Sequence, residues 1–290
     1  MLDNILNAIE QWIRSLLANM VNFNLENMIS DLNNKTEDIA DQVGMTPMEW
    51  NRGIFGMIQN LSDSVILPIA GMILTFVLCY ELISMLTEKN NMHEIDTWMF
   101  FKYFVKAWIA VWLVSNTFTL TMAVFDVGQH VVDAAAGVIT GRTAMDISTI
   151  TAVVNREMES MGIGALLGLA IETFIVSLCM KLLAVLITVI LYGRMIEIYL
   201  YTSIAPIPFA TLTNREWGQV GTNYLRGIFA LAFQAFLMMI CVGIYAVLVS
   251  TAVWDENIHT ALFGVMGYTV ILCFSLLKTG SLSKQIFNSH

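Results

Sequence analysis

Long apolar runs separated by short polar flanks dominate the chain from Val65 onward. Five of them reach the roughly 20 predominantly apolar residues that a helix needs to cross a bilayer. They cover 65–86, 103–125, 163–191, 227–253 and 260–277. The third is long for one crossing, which tilting or projection beyond the bilayer accommodates. The pattern predicts an all-α, polytopic helical membrane protein with about five transmembrane helices.

The chain before the first run has a different period. Leu2, Ile5, Leu6, Ile9, Ile13, Leu16, Leu17 and Met20 recur at helical spacing, with Asp3, Asn7, Glu10, Gln11 and Arg14 mainly opposite. Such a helix packs on its own domain or a neighbour, or lies on a membrane surface; surface helices are usually basic, and this one is not. A basic start and a continuous apolar core are lacking in 1–24, so this stretch does not read as a signal peptide. In "TPMEW", Thr46 predicts a helix cap, Pro47 a first position and Glu49 a capping box. Trp50, Ile54, Met57 and Leu61 then form an apolar stripe. Residues 1–62 are therefore expected to be a helical extracytoplasmic region, with 63–290 as the transmembrane domain. That region carries three Lys/Arg against eight Asp/Glu.

One segment resists the pattern. "YTSIAPIPFATLTNREWGQVGTNYLRG" (201–227) sets Pro206 and Pro208 inside an apolar run. Each lacks an amide donor and would break a continuous helix. Lys/Arg placement chooses between the readings. With five spans and the N-terminus outside, Lys89, Lys102, Lys106, Arg194, Arg215, Arg226, Lys278 and Lys284 all face the cytoplasm. The Asp255–Glu256 loop, which has no Lys or Arg, then lies outside. Residues 195–226 thus read as a cytoplasmic-side elbow, re-entrant or membrane-hugging at 196–212, since irregular backbone at membrane depth must be covered by protein or water. A proline-kinked sixth span is the alternative. The outer loop, 126–161, holds a weakly apolar "VVDAAAGVITG" and a helix expected from Asp146; it is a connector or a surface that meets a partner or substrate.

Composition confirms the class. Of 290 residues 57% are hydrophobic and 13% charged, against about 25% charged in soluble domains. The net charge of −9 argues against a general nucleic-acid surface. Cys79, Cys179, Cys241 and Cys273 lie in apolar segments without metal-ligand spacing and read as small core- or lipid-facing residues. A phosphate loop, HExxH, CxxC and GxSxG are all missing, so no catalytic residue, cofactor or metal site is expected. What remains is intramembrane polarity. Glu81, Glu172 and Lys181 are costly in lipid and need protein, water or each other. Glu172 and Lys181, nine apart, leave opposite faces of one helix. Gly164 and Gly168 share the Glu172 face and would admit a close neighbour. Either the third span is buried on both faces in an oligomer, with a subunit boundary or lumen, or it forms a bundle core with an internal Glu–Lys pair. Gln234, in line with Asn223 and Tyr245, reads as interhelical glue and is compatible with a channel lining.

"RMIEIYLYTSIAPIPFATLTNREWGQVGTNYLRGIFALAFQAFLMMICVGIYAVLV" (194–249) resembles the TrbL-type polytopic subunit of conjugative type IV secretion systems, in the version carried by integrative conjugative elements of Gram-positive bacteria. The resemblance is strongest over 163–285 and weakest over the first 60 residues. The elbow motif Pro206, Pro208, Arg215, Glu216 and Trp217 belongs to it. It implies a multi-pass plasma (inner) membrane protein with a cytoplasmic C-terminus, assembled as a homo-oligomer around a central path. It implies partners among the system's ATPases, coupling protein and bitopic membrane subunits, besides membrane lipids. It also implies transient contact of single-stranded DNA with the outer loop. There Arg142 and Arg156 face five carboxylates, Asp126, Asp133, Asp146, Glu157 and Glu159, a balance that suits loose passage rather than tight phosphate binding. The expected function is a non-catalytic channel or scaffold subunit in DNA translocation. Alternatives are a secondary transporter with a midplane site near the broken segment, or a membrane anchor for other secretion subunits.

Overall fold

A computed structural model describes residues 2–88, 97–139, 147–251 and 257–289. No strand occurs among them. The elements are α1 (Leu2–Gly44), α2 (Pro47–Trp50), α3 (Arg52–Leu61), a π-helical turn (Ser62–Ile66), α4 (Leu67–Glu88), α5 (Thr97–Ser115) and α6 (Thr117–Ile139). They continue with α7 (Ile147–Ser160), α8 (Ile163–Ile204), α9 (Pro206–Thr211), α10 (Gly218–Ser250) and α11 (Ile258–Ile286). Five helices are long and apolar enough to cross a membrane: Arg52–Thr87, Trp98–Ser115, Ile163–Ile204, Gly218–Ser250 and Ile258–Ile286. The all-α, five-span class read from the apolar runs is therefore that of the protein.

Several boundaries move. The helix expected to leave the membrane near Leu191 runs on unbroken to Ile204. Its 42 residues make about 63 Å at 1.5 Å per residue, twice the apolar thickness of a bilayer. The second run is interrupted at Asn116, whose side-chain amide donates to the Trp112 carbonyl at 2.8 Å. Beyond it α6 continues to Ile139, so the first part of the expected outer loop is helical. The helix expected at Asp146 is α7, from Ile147; Asp146 itself lies outside the described residues.

The chain forms two compact units. The first comprises Met1–Val43, Ala134–Leu191 and Met238–Lys278. Val21, Leu25 and Ile29 of α1 are buried there, as are Leu169 and Val176 of α8 and Leu262 of α11. Polar ties supplement this burial. Arg14 donates to the carbonyls of Met158, Glu159 and Met161. Asn22 donates to Asn155 at 2.8 Å, and Tyr245 is hydrogen-bonded to Thr269 at 2.9 Å. The first turns of α1 take no part in the burial: Ile5, Leu6, Ile9 and Trp12 are exposed.

The second unit comprises Gly44–Asp133, Tyr192–Leu237 and Thr279–His290. Its core gathers Ala70 and Leu74 of α4, Ala110 and Val114 of α5, Phe125 of α6, and Met195 and Ile198 of α8. Ala205, Phe209 and Ala210 around α9 and Tyr224, Ile228, Leu231 and Ala232 of α10 complete it. Small residues recur because, between apolar helices in lipid, close van der Waals packing drives association. The predicted capping box is present: Glu49 N donates to Thr46 Oγ1 at 3.3 Å, and Thr46 N to the Glu49 carboxylate at 3.0 Å. The helix it starts stops after one turn. Asn51 is extended (φ −158°, ψ 100°) and its side chain caps α3 through Ile54 N. Tyr199 of α8 ties down this junction, donating to the Pro47 carbonyl at 2.6 Å.

Two outcomes test this packing. A Cβ on Gly221 would sit 2.6 Å from the Pro208 carbonyl oxygen and from Leu212 Cγ. The first is backbone and cannot move aside, so Gly221→Ala should cost about 1–3 kcal/mol, read as a lower melting temperature in detergent. The Thr46 amide and hydroxyl hold the Glu49 carboxyl below its ordinary value. Its contribution is therefore complete above the ordinary carboxylate range and fades as pH falls through the lowered folded value. Melting of Glu49→Gln should lack that acid-dependent component; an unchanged pH profile would show that the box contributes nothing.

Candidate functional site

The proline break is narrower than the sequence suggests. Ala205 stays in right-handed helical conformation (φ −49°, ψ −41°). Pro206 and Pro208 occupy the first turn of the restarted helix α9, where amide donors have no helical partner in any case. The side chains of Thr202 and Thr211 bond back to the Ile198 and Pro208 carbonyls at 2.7 and 2.8 Å. Pro206, Pro208, Phe209, Ala210 and Thr211 are all buried, so the broken backbone is covered by protein. The prolines therefore mark a one-residue interruption at Ala205, after which the helix restarts. The turn itself comes later, at 212–217, and the elbow expected over 195–226 contracts to Ala205–Trp217.

Asn214 builds that turn. Its side-chain oxygen accepts from the amides of Glu216 and Trp217 at 2.8 and 2.9 Å. Its backbone carbonyl accepts from Gly218 N at 3.0 Å, the start of α10. Its side-chain amide donates to Glu81 Oε2 at 3.2 Å. The other Glu81 oxygen takes Lys106 Nζ at 2.5 Å. One buried asparagine thus joins a helix start to an ion pair on α4 and α5. Glu216 accepts from the Tyr80 hydroxyl at 2.9 Å. Trp217 stacks on Phe76 and Tyr80, with ring centroids 5.5 and 5.4 Å away and interplanar angles of 11° and 21°. Glu81, Arg215, Glu216 and Trp217, singled out separately in the sequence, meet at one end of the second unit. Glu81, Arg215 and Glu216 line a cavity of about 270 Å³ there. The pairing neutralises Glu81 without removing it from water altogether, so the ion pair contributes modestly; its role is to fix where the turn attaches.

Over residues 32–206 the sequence matches the family described as TrbL/VirB6 plasmid conjugal transfer-like proteins. The chain belongs to that family. The matched region reaches back into α1 and stops at Pro206, whereas the resemblance read from the sequence leaned on 163–285; the turn and α10 lie beyond the match. No curated protein and no solved structure matches the chain significantly.

Of the other polar positions of this TrbL/VirB6-like chain, Glu172, Lys181 and Arg156 belong to the first unit and Gln234 to the second. Glu172 is bonded to His259 of α11. Lys181 is exposed and makes no ion pair among the described residues; the internal Glu172–Lys181 pair does not form. Gln234 is buried, with its amide 3.5 Å from Thr279 Oγ1 and close to Gly280, between α10 and α11. Gly164 and Gly168 are exposed, with no other described residue within 4 Å of where a Cβ would stand. Arg156 is exposed on α7, and Arg142 lies outside the described residues. The four cysteines are free thiols, Cys79 exposed and Cys273 buried. Among the described residues no three His, Cys, Asp or Glu could hold a metal ion.

Sequence reading missed Asn214, Tyr80 and Lys106. For Asn214 a signal existed: Asn ahead of an acidic residue and an apolar helix is a helix-start pattern. The contacts of Tyr80 and Lys106 with residues far along the chain have no local signature. Asn214→Ala should cost about 1 kcal/mol as a lost cap and speed tryptic cleavage after the exposed Arg215. Cleavage at the parent rate would show that the turn holds without it.

Proposed function

We propose that the protein is a non-catalytic, multi-pass subunit of a conjugative type IV secretion system. It assembles with copies of itself to line or seat the path of transferred single-stranded DNA across the plasma membrane. Energy comes from partner ATPases, with the coupling protein and bitopic subunits completing the machine. The N-terminus lies outside and the C-terminus in the cytoplasm. Family membership supports the conjugal-transfer setting.

The observation that carries self-assembly is Lys181. It lies within the apolar stretch of α8, ten residues from Leu191, flanked by exposed Leu178, Leu182 and Val185. An unpaired ammonium facing hydrocarbon is costly. A lysine reaches along its own stem only far enough to snorkel near a helix end. A neighbouring subunit or a water-filled lumen removes the cost. On the same helix no other described residue crowds Gly164 and Gly168, and a helix of another copy can approach closely there.

Lys181→Glu should lower the oligomeric fraction in nanodiscs, and conjugative transfer by roughly tenfold or more, while Lys181→Arg retains both. A parent protein that is monomeric in bilayers would refute the assembly. Solute flux by the purified protein in liposomes, abolished by Lys181→Glu, would favour the transporter.

A further inference from the structure

Two hollows of the second unit share a wall. The polar cavity beside the Asn214 turn is lined by Tyr80 and Tyr103, by Lys102, Lys106 and Arg215, and by the carboxylates of Glu81 and Glu216. Beside it runs a groove of about 300 Å³ along α5, formed by Trp98, Phe101, Val105 and Ile109. Lys102 and Lys106 belong to both. The groove also reaches Thr213, whose hydroxyl is enclosed without a hydrogen-bond partner among the described residues. An enclosed hydroxyl left unbonded is costly and calls for an acceptor or donor from a ligand or water.

The charges are unevenly used. Glu81 is occupied by Lys106 and Asn214, and Glu216 by the Tyr80 hydroxyl. Lys102 and Arg215 are exposed and have no carboxylate partner among the described residues; Lys102 rests over the Trp98 ring at 5.7 Å. Trp98 stacks on Phe101 with centroids 5.3 Å apart. Phe101, Phe104, Val105 and Trp108 are all exposed on a helix apolar enough to span a bilayer. Tryptophan, tyrosine and lysine gathered at one end of such helices mark headgroup level, where basic pockets between spans take anionic lipid heads.

We propose that cavity and groove form one binding site for an anionic phospholipid. An acyl chain lies along Trp98, Phe101, Val105 and Ile109. The phosphate sits between Lys102 and Arg215, and a glycerol or ester oxygen satisfies the Thr213 hydroxyl. The occupant is a lipid because the groove lies on an exposed apolar helix face and opens directly into a cavity where Lys102, Lys106 and Arg215 outnumber Glu81 and Glu216, which matches a molecule with tail and head in that order. The bound headgroup cross-links α5 to the turn that Asn214 builds. The proposal rests on the spanning helices and not on the DNA-transfer reading.

The full-length protein in detergent is titrated with phosphatidylglycerol or phosphatidylcholine, followed by melting temperature and by native mass spectrometry. Phosphatidylglycerol should raise the melting temperature and stay bound, and phosphatidylcholine should do neither. Lys102→Gln combined with Arg215→Gln should weaken phosphatidylglycerol binding by roughly tenfold or more. Val105→Trp, which fills the groove and leaves every charge in place, should weaken it similarly. Equal binding of the two lipids would reduce the site to ordinary annular contact and overturn the proposal. Competition by inorganic phosphate, or by an acidic peptide, with Val105→Trp without effect would assign the cavity to a free anion or to a protein partner, and would equally overturn it.

Discussion

A helix broken among other helices must satisfy its backbone without help from water, and the second unit is organised around that constraint. Two prolines remove two donors, and placing both in a first helical turn makes the losses harmless. The turn that follows has free amides of its own, which Asn214 takes up through one side-chain oxygen. Its remaining group then ties the turn to Glu81. Ala70, Ala110, Ala205 and Ala210 are the packing counterpart: only small side chains let α9 lie among α4, α5 and α10 closely enough to cover the break.

Charge inside apolar helices is handled in three ways. Glu81 is paired with Lys106 across two helices. Glu172 is hydrogen-bonded to His259 near the start of α11. Lys181 has no such partner among the described residues. The cost of an unpaired charge in lipid is what turns a side-chain position into an argument about assembly.

The Asn214–Glu81–Lys106 contacts and the lipid site proposed beside them are two aspects of one location. Lys106 contributes to both, neutralising Glu81 while its stem walls the groove. A headgroup held by Lys102 and Arg215 would couple the geometry of the turn to the composition of the surrounding membrane. The family match covers α5 and stops at Pro206, short of Thr213 and Arg215.

The amino-acid sequence by itself determined the helical class, the five apolar spans, the capping box at Thr46 and the existence of a break at Pro206. Each of these is a local property: apolar length, helical period, or the absence of a donor. It also marked Glu81, Glu172 and Lys181 as expensive, because charge in an apolar run is visible without any fold. Tertiary structure alone decided which of them are paired, since Glu81 meets Lys106 and Asn214 across 25 and 133 residues of chain. It decided too that α8 runs on to Ile204 and that the turn belongs to Asn214. A proline sets what its own peptide cannot do; whether the chain kinks or turns there depends on whether neighbouring helices leave room for it and accept its freed groups.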